Sequence, residues 1–400
     1  MRIVAAANRR LLLSQASRVE GDEYNALLTR GFLFALSGSI KEMKGAALRY
    51  CVLRCGGRCS SMTVRRLSVL DQSVAIAGRA QAESIRETIA LAKYCEDLGY
   101  SRFWVAEHHN HDTIAGSAPE IVMSAIAATT KRIRIGSAGV MLPHYSALKV
   151  AEQFRVLDAI APGRIDLGLG RAPGSDGRTA YALNPNAAKA AEQFPAQVRD
   201  LLAWISDDAL PEGHPFGTIR AFPTGETVPE MWMLGTSDYG AQVAAHFGIP
   251  YCFAHFITEG RGCAQALALY RENYQPSQRH PEPETAICVW ALLAETDEEA
   301  QFQFMSRARS RLLRDQGQLQ PIESPEMAAG QAYTPAEQAR LDQLRETALV
   351  GTPDVVGRQL RKLVEQLGVE EISVLTWTHG LDARKHSYKL LANEFEIGAA

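Results

Sequence analysis

The chain has 400 residues, 46% of them hydrophobic and 22% charged, with a formal net charge of −3. This composition is too apolar for disorder throughout, and the length suffices to bury a core without disulfide or metal staples. No apolar run approaches the roughly 18 residues of a membrane span, near-neutral charge offers nothing to a nucleic-acid partner, and the cysteines show no framework spacing, which fits a cytoplasmic setting.

Charge is unevenly placed. Residues 1–61 hold ten Lys/Arg and four Asp/Glu, a charge of +6, whereas the remaining 339 residues carry −9. The basic head has no steady periodicity. Its Cys51, Cys55 and Cys59 would share a helical face, but Gly56-Gly57 breaks a helix there and no fourth ligand lies near, so they read as inert thiols. Acidic residues at Glu20, Asp22 and Glu23 and the lack of a cleavage pattern argue against a targeting segment. Residues 1–61 are expected to be an N-terminal extension, poorly ordered or outside the native enzyme, and the functional chain to run over 62–400.

From there one unit recurs: a helix stopped by glycine (Gly99, Gly248, Gly368), then a buried strand. Strands are expected at 66–71, 102–107, 132–141, 165–169, 229–234, 251–256, 286–294 and 371–376. Helices are expected at 82–98, 118–129, 146–160, 187–205, 237–247, 262–274, 299–313, 352–367 and 383–395. Eight strand–helix pairs predict an α/β fold, a (β/α)8 TIM barrel, with a doubly wound open sheet as the alternative. Residues 314–350, rich in Gln, Glu and Pro, interrupt the pattern after the seventh strand and are expected to form an insertion or lid.

Barrel chemistry collects at the C-terminal ends of the strands. The second strand ends in Glu107-His108-His109-Asn110-His111-Asp112. Besides simple loop capping, this run admits two chemistries. His109 and His111 could be an H-x-H metal pair completed by His255, His379 or Asp382, as in barrel hydrolases; or His108 could face a bound organic cofactor. In the third strand, Gly136-Ser137-Ala138-Gly139 weakens a sheet but suits a flat ligand pressed on backbone; a bulge is the plainer account. After the fourth strand, Gly168-Leu169-Gly170-Arg171-Ala172-Pro173 lacks the dinucleotide glycine spacing, yet open backbone beside Arg171 suits a phosphate. The fifth strand ends in Thr236-Ser237-Asp238-Tyr239-Gly240 and opens a helix, either as a plain N-cap or as an anion site. One phosphate, one flat-ligand platform and one histidine point to flavin mononucleotide.

Over 67–394 the chain resembles the bacterial luciferase-like flavin-dependent monooxygenases, and is most similar to their luciferase-like oxidoreductase branch. The resemblance rests on Trp104-Val105-Ala106-Glu107-His108-His109, on Gly136-Ser137-Ala138-Gly139-Val140-Met141-Leu142-Pro143-His144, on Ala151-Glu152-Gln153-Phe154 with Leu157-Asp158, on Gly163-Arg164-Ile165-Asp166-Leu167-Gly168-Leu169-Gly170-Arg171, and on Gly351-Thr352-Pro353. It implies a barrel with an insertion after the seventh strand and reduced FMN supplied by a separate flavin reductase. It implies O2 addition to give a flavin 4a-hydroperoxide that oxygenates a small aldehyde- or alkane-like substrate. A homodimer is also implied. Carried onto this chain, His108 is the catalytic histidine. Ala138 and Gly139 form a cis peptide under the flavin, and Arg171, Thr236, Ser237 and Gly240 are cofactor-binding positions. Gly170 stands where luciferase has a cysteine, so no thiol is expected in the pocket, and Thr236 replaces an acid; both depart from a light emitter. Other readings are a deazaflavin-dependent dehydrogenase of the same superfamily, a metal hydrolase, and a non-catalytic flavin-binding protein.

Overall fold

The computed structural model describes residues 64–398, so the expectations for 1–61, the cysteine trio included, lie outside the described residues. The strands are β1 (Arg66–Asp71), β2 (Arg102–Val105), β3 (Arg134–Ser137), β4 (Val140–Met141), β5 (Ile165–Gly170), β6 (Glu230–Gly235), β7 (Tyr251–Phe253), β8 (Thr285–Leu293), β9 (Leu349–Gly351) and β10 (Glu371–Leu375). Eight of them run in parallel in the order β10-β1-β2-β3-β5-β6-β7-β8, and β8 pairs again with β10 to close the ring. The fold is therefore the (β/α)8 barrel.

Alternation along each strand sorts the core into two layers. Leu67 and Val69, Phe103 and Val105, Ile165, Leu167 and Leu169, and Ile372 and Val374 join the layer under the helices. Leu70, Trp104, Trp232, Cys252, Cys288, Trp290 and Leu375 belong to the second, inner cluster. At the N-terminal end of the barrel the inward positions are charged. Arg102 lies 2.8 Å from Asp166, 3.2 Å from Glu230 and 3.0 Å from Glu371. Arg66 meets Glu371 at 3.0 Å, and Arg134 meets Glu230 at 2.9 Å. Trp104 Nε1 donates to Asp166 at 2.9 Å, joining this floor to the apolar layer above it. Burial disfavours the Arg102 charge, but the surrounding carboxylates outweigh it and raise its pKa.

The helices are α1 (Gln81–Asp97), α2 (Pro119–Thr129), α3 (Ala147–Ile160), α4 (Gly177–Leu183), α5 (Ala187–Glu192), α6 (Phe194–Ser206), α7 (Asp238–Phe247), α8 (His255–Thr258), α9 (Cys263–Glu272), α10 (Asp297–Asp315), α11 (Pro325–Ala329), α12 (Pro335–Thr347), α13 (Pro353–Leu367) and α14 (Leu381–Glu394). Gly248 and Gly368 adopt left-handed conformations just past α7 and α13, as the helix-stop pattern requires. No described helix is long and apolar enough to cross a membrane.

Several bounds differ from expectation. The strand expected over 132–141 is divided into β3 and β4 by Ala138-Gly139, whose peptide bond is cis. The strand expected over 251–256 stops at Phe253, because α8 begins at once. The helix expected over 187–205 is interrupted at Gln193, since Pro195 in the first turn of α6 has no N–H to continue a preceding helix. The 314–350 excursion contains α11, α12 and β9, and α10 packs with all three. The segment read as a barrel helix, 299–313, thus packs mainly with the excursion, and α13 and α14 also pack against β8.

Candidate active site

A cavity of about 660 Å³ opens at the C-terminal end of the barrel. It is reached by the loops after β2, β3, β5 and β6, by α8 and by α10. All of the expected cofactor-site residues and the expected catalytic histidine line it: His108, Ala138, Gly139, Arg171, Thr236, Ser237 and Gly240.

The β2 loop is held from behind. Glu107 is buried and accepts hydrogen bonds from the Tyr145 hydroxyl at 2.7 Å and the Met141 amide at 3.2 Å, and pairs with His109 Nε2 at 2.8 Å. Because Glu107 takes up the back of the loop, its neighbour His108 turns to the cavity. The His108 amide donates to the Gly116 carbonyl at 2.9 Å, which fixes the backbone. Its Nδ1 is sealed from solvent and has no partner among the described residues. Burial, followed by the charges of His111 and Arg314, pulls the His108 pKa down to about 4, so the ring is neutral at pH 7.

The H-x-H pair does not converge. His109 is engaged by Glu107, while the His111 ring sits edge-on to His108 with centroids 5.5 Å apart. Among the described residues, three ligand atoms come within metal-binding reach of one another only at Glu230, His280 and Glu284, near the barrel floor, where arginines already balance the carboxylates.

The turn at Ala138-Gly139 is packed on β5. The Ala138 amide donates to Val105 O at 2.8 Å, and the Ser137 hydroxyl donates to Gly168 O at 2.9 Å. A Cβ at Gly139 would stand 2.7 Å from Gly168 O, so only glycine fits there. Across the cavity, Ser237 precedes α7 but its hydroxyl makes no cap hydrogen bond. The first amides of α7 are therefore left to point at whatever lies beyond, a polarised donor set suited to an anion. Arg171 lies 4.0 Å above the Tyr239 ring at the same rim.

The cavity also holds groups that the sequence reading missed. Cys252 and Cys288 line it, contrary to the expectation of a thiol-free pocket, since inward positions of β7 and β8 face the same space as Gly170. Burial raises both thiol pKa values, that of Cys288 to about 12, so neither is a thiolate at neutral pH. Trp104, Trp377 and Phe256 supply apolar walls, and Arg307, Ser310, Arg311 and Arg314 come from α10. The Arg-x-Arg-x-Arg-x-x-Arg run of α10 was the available signal; its reading depended on knowing that α10 crosses the cavity.

A closed parallel barrel with a largely apolar cavity at its strand ends, an uncapped helix start and a neutral histidine on the cavity wall has the make-up of an enzyme site for a small organic molecule. Residues 66–371 match the family model described as luciferase-like monooxygenase, and the chain belongs to that family. The uncharacterized protein YwcH of Bacillus subtilis is 43% identical over 330 residues, covering 82% of this chain and 98% of that protein. The N-acetyl-S-alkylcysteine monooxygenase of the same organism is 36% identical over 328 residues, covering 82% and 97%. Among solved structures, apo-MsnO8 superposes with a TM-score of 0.75 at 36% identity, covering 83% of this chain and 98% of that one. The oxygenating constituent of 3,6-diketocamphane monooxygenase of Pseudomonas putida, in complex with FMN, shares the fold at 20% identity, a TM-score of 0.63 and coverage of 84% and 98%. The chain is thus an oxygen-incorporating oxidoreductase, a luciferase-like monooxygenase.

Proposed function

We propose that the protein is the oxygenating component of a two-component monooxygenase, which binds reduced FMN delivered by a separate flavin reductase and uses O2 to oxygenate a small organic substrate. The observation that carries this is a neutral His108, one ring nitrogen of which has no partner among the described residues, lining the same cavity as the uncapped start of α7. A buried imidazole nitrogen without a partner is costly unless a ligand supplies one.

Those residues fit the cofactor. Arg171, the Ser237 hydroxyl and the Tyr239 and Gly240 amides would hold the phosphate. The Ala138-Gly139 backbone would lie under the flat ring, beside Thr236. Reduced FMN, when bound, supplies the electrons that activate O2. The chain orients the reacting edge, and the His108 ring holds or passes a proton there. The apolar walls, with α10 and the excursion that packs on it, exclude water, which otherwise diverts the oxygen to hydrogen peroxide. In this reading the excursion serves as the lid.

Rapid mixing of the protein and reduced FMN with O2 tests this. Flavin reoxidation should depart from its course in free solution. Reoxidation identical to free flavin would overturn the reading. Tighter binding of a deazaflavin cofactor than of FMN, with no response to O2, would replace it with hydride transfer.

A further inference from the structure

α10 turns Arg307, Ser310, Arg311 and Arg314 into the cavity, a spacing that places them on one helical face. Arg311 is matched by Glu259 and Asp315, each at 3.4 Å. The same two carboxylates also serve Arg340, at 3.4 and 2.9 Å. No carboxylate among the described residues pairs with Arg307 or Arg314, so Arg311 and Arg340 take both acids and the other two arginines have none. Arg307 is set over the indole rings of Trp290 and Trp377, at 5.4 and 5.0 Å from their centroids, and its Nε is sealed from solvent without a hydrogen-bond partner. Burial, then repulsion from Arg311 and Arg314, lowers its pKa to about 9. Stacking fixes the guanidinium plane without neutralising it. An unmatched, desolvated charge of this kind is expensive and is explained by an anion that arrives with a ligand. In the reading proposed above the flavin phosphate is not that anion, because its residues follow β5 and β6 whereas α10 follows β8, three and two strands round the ring.

We propose that Arg307 and Arg314, with Ser310, bind an oxyanion of the substrate, so that the protein oxygenates small organic acids bearing a carboxylate or sulfonate. The apolar part of such a molecule lies against Trp104, Phe256 and Leu375, toward the flavin edge. The inference rests on the flavin reading of the same cavity and narrows its substrate class.

Calorimetric titration with hexanoate, hexanesulfonate and the neutral methyl hexanoate tests it, alongside FMN titration of the same proteins. Both anions should bind the native chain about tenfold or more tightly than the ester. Arg307→Gln with Arg314→Gln should abolish that preference and leave FMN affinity within about twofold, and Arg307→Lys should retain part of it. Arg314→Gln alone, at the exposed rim and so without risk to folding, should lose several-fold in anion affinity. Equal binding of anion and ester overturns the inference. So does an anion preference that survives the variants, or a loss of FMN affinity that parallels the loss of anion affinity. If FMN fails to bind while hexanoate binding stays arginine-dependent, the anion pocket stands and the flavin reading falls.

Discussion

His108 is held by a division of labour within one short loop. Glu107 spends its carboxylate on Tyr145, His109 and the Met141 amide, and the strand's alternation then sends the next side chain into the cavity. Its neutrality follows from burial and from nearby positive groups, which leaves a ring able to donate or accept one proton without carrying fixed charge. His108→Ala should bind FMN with little change but divert oxygen to hydrogen peroxide, lowering product formed per O2 consumed by about tenfold or more; unchanged coupling, read by oxygen electrode and product assay, would remove the histidine from the reaction. The same burial has a stability consequence. The folded pKa of about 4 lies below the unfolded value near 6.5, so the contribution of the neutral ring is complete above pH 6.5 and is lost as pH falls toward 4. His108→Gln should remove that part of the acid sensitivity, of the order of 1–3 kcal/mol, in urea unfolding followed between pH 7 and pH 4. Parallel pH curves for the two proteins would contradict it.

At the scale of the element, α7 and α10 show how a helix serves a site by what it leaves unsatisfied. The start of α7 lacks a side-chain cap, so Ser237→Ala should cost almost nothing in stability yet weaken FMN binding by about fivefold, through loss of one hydrogen bond. A stability loss of a typical cap, about 1 kcal/mol, with unchanged FMN affinity would make Ser237 a structural residue instead. Gly240 adds a second handle. A Cβ there would meet nothing nearer than 3.7 Å, so Gly240→Ser is accommodated and should tighten FMN binding severalfold by adding a donor, as read by flavin fluorescence titration. The excursion was more legible than its composition suggested. Ser324-Pro325 opens α11, and Thr334-Pro335 with Glu337 forms a capping box at the start of α12, whose reciprocal bonds measure 2.9 and 3.3 Å. Those start signals are local and present in the chain. What α10 faces is not local, and so its arginines passed unread.

For the molecule as a whole, the charged floor ties together strands far apart in sequence. Asp166 on β5 receives Arg102 from β2, Arg134 from β3 and the indole of Trp104, all in the closed end of the barrel. Removing one member leaves buried guanidinium groups short of a counter-charge, which costs more than the pair contributes when complete. Asp166→Asn should lower unfolding stability by about 3–5 kcal/mol, seen as a shifted urea midpoint with an unchanged slope. A loss below about 1 kcal/mol would show that Glu230 and Glu371 suffice. The strand starts carried this pattern in plain view: Arg66, Arg102, Arg134, Asp166, Glu230 and Glu371 each stand at or near the head of a strand. Their mutual neutralisation needs the ring to close.

By itself the amino-acid order determined the barrel class, through repeated helix–glycine–strand units, and the family, through ordered motifs from Trp104 to Pro353. It pointed to the strand ends that line the cavity, because strand periodicity and the residues that end a strand are local properties. Only the tertiary structure decided that His109 is engaged by Glu107 while the His108 Nδ1 is left without a partner among the described residues, that two thiols line the cavity, and that α10 packs with the excursion and brings arginines to the same cavity. Each of these depends on where a closed ring places side chains that lie tens of residues apart, and proximity across a barrel leaves no periodic trace along the chain.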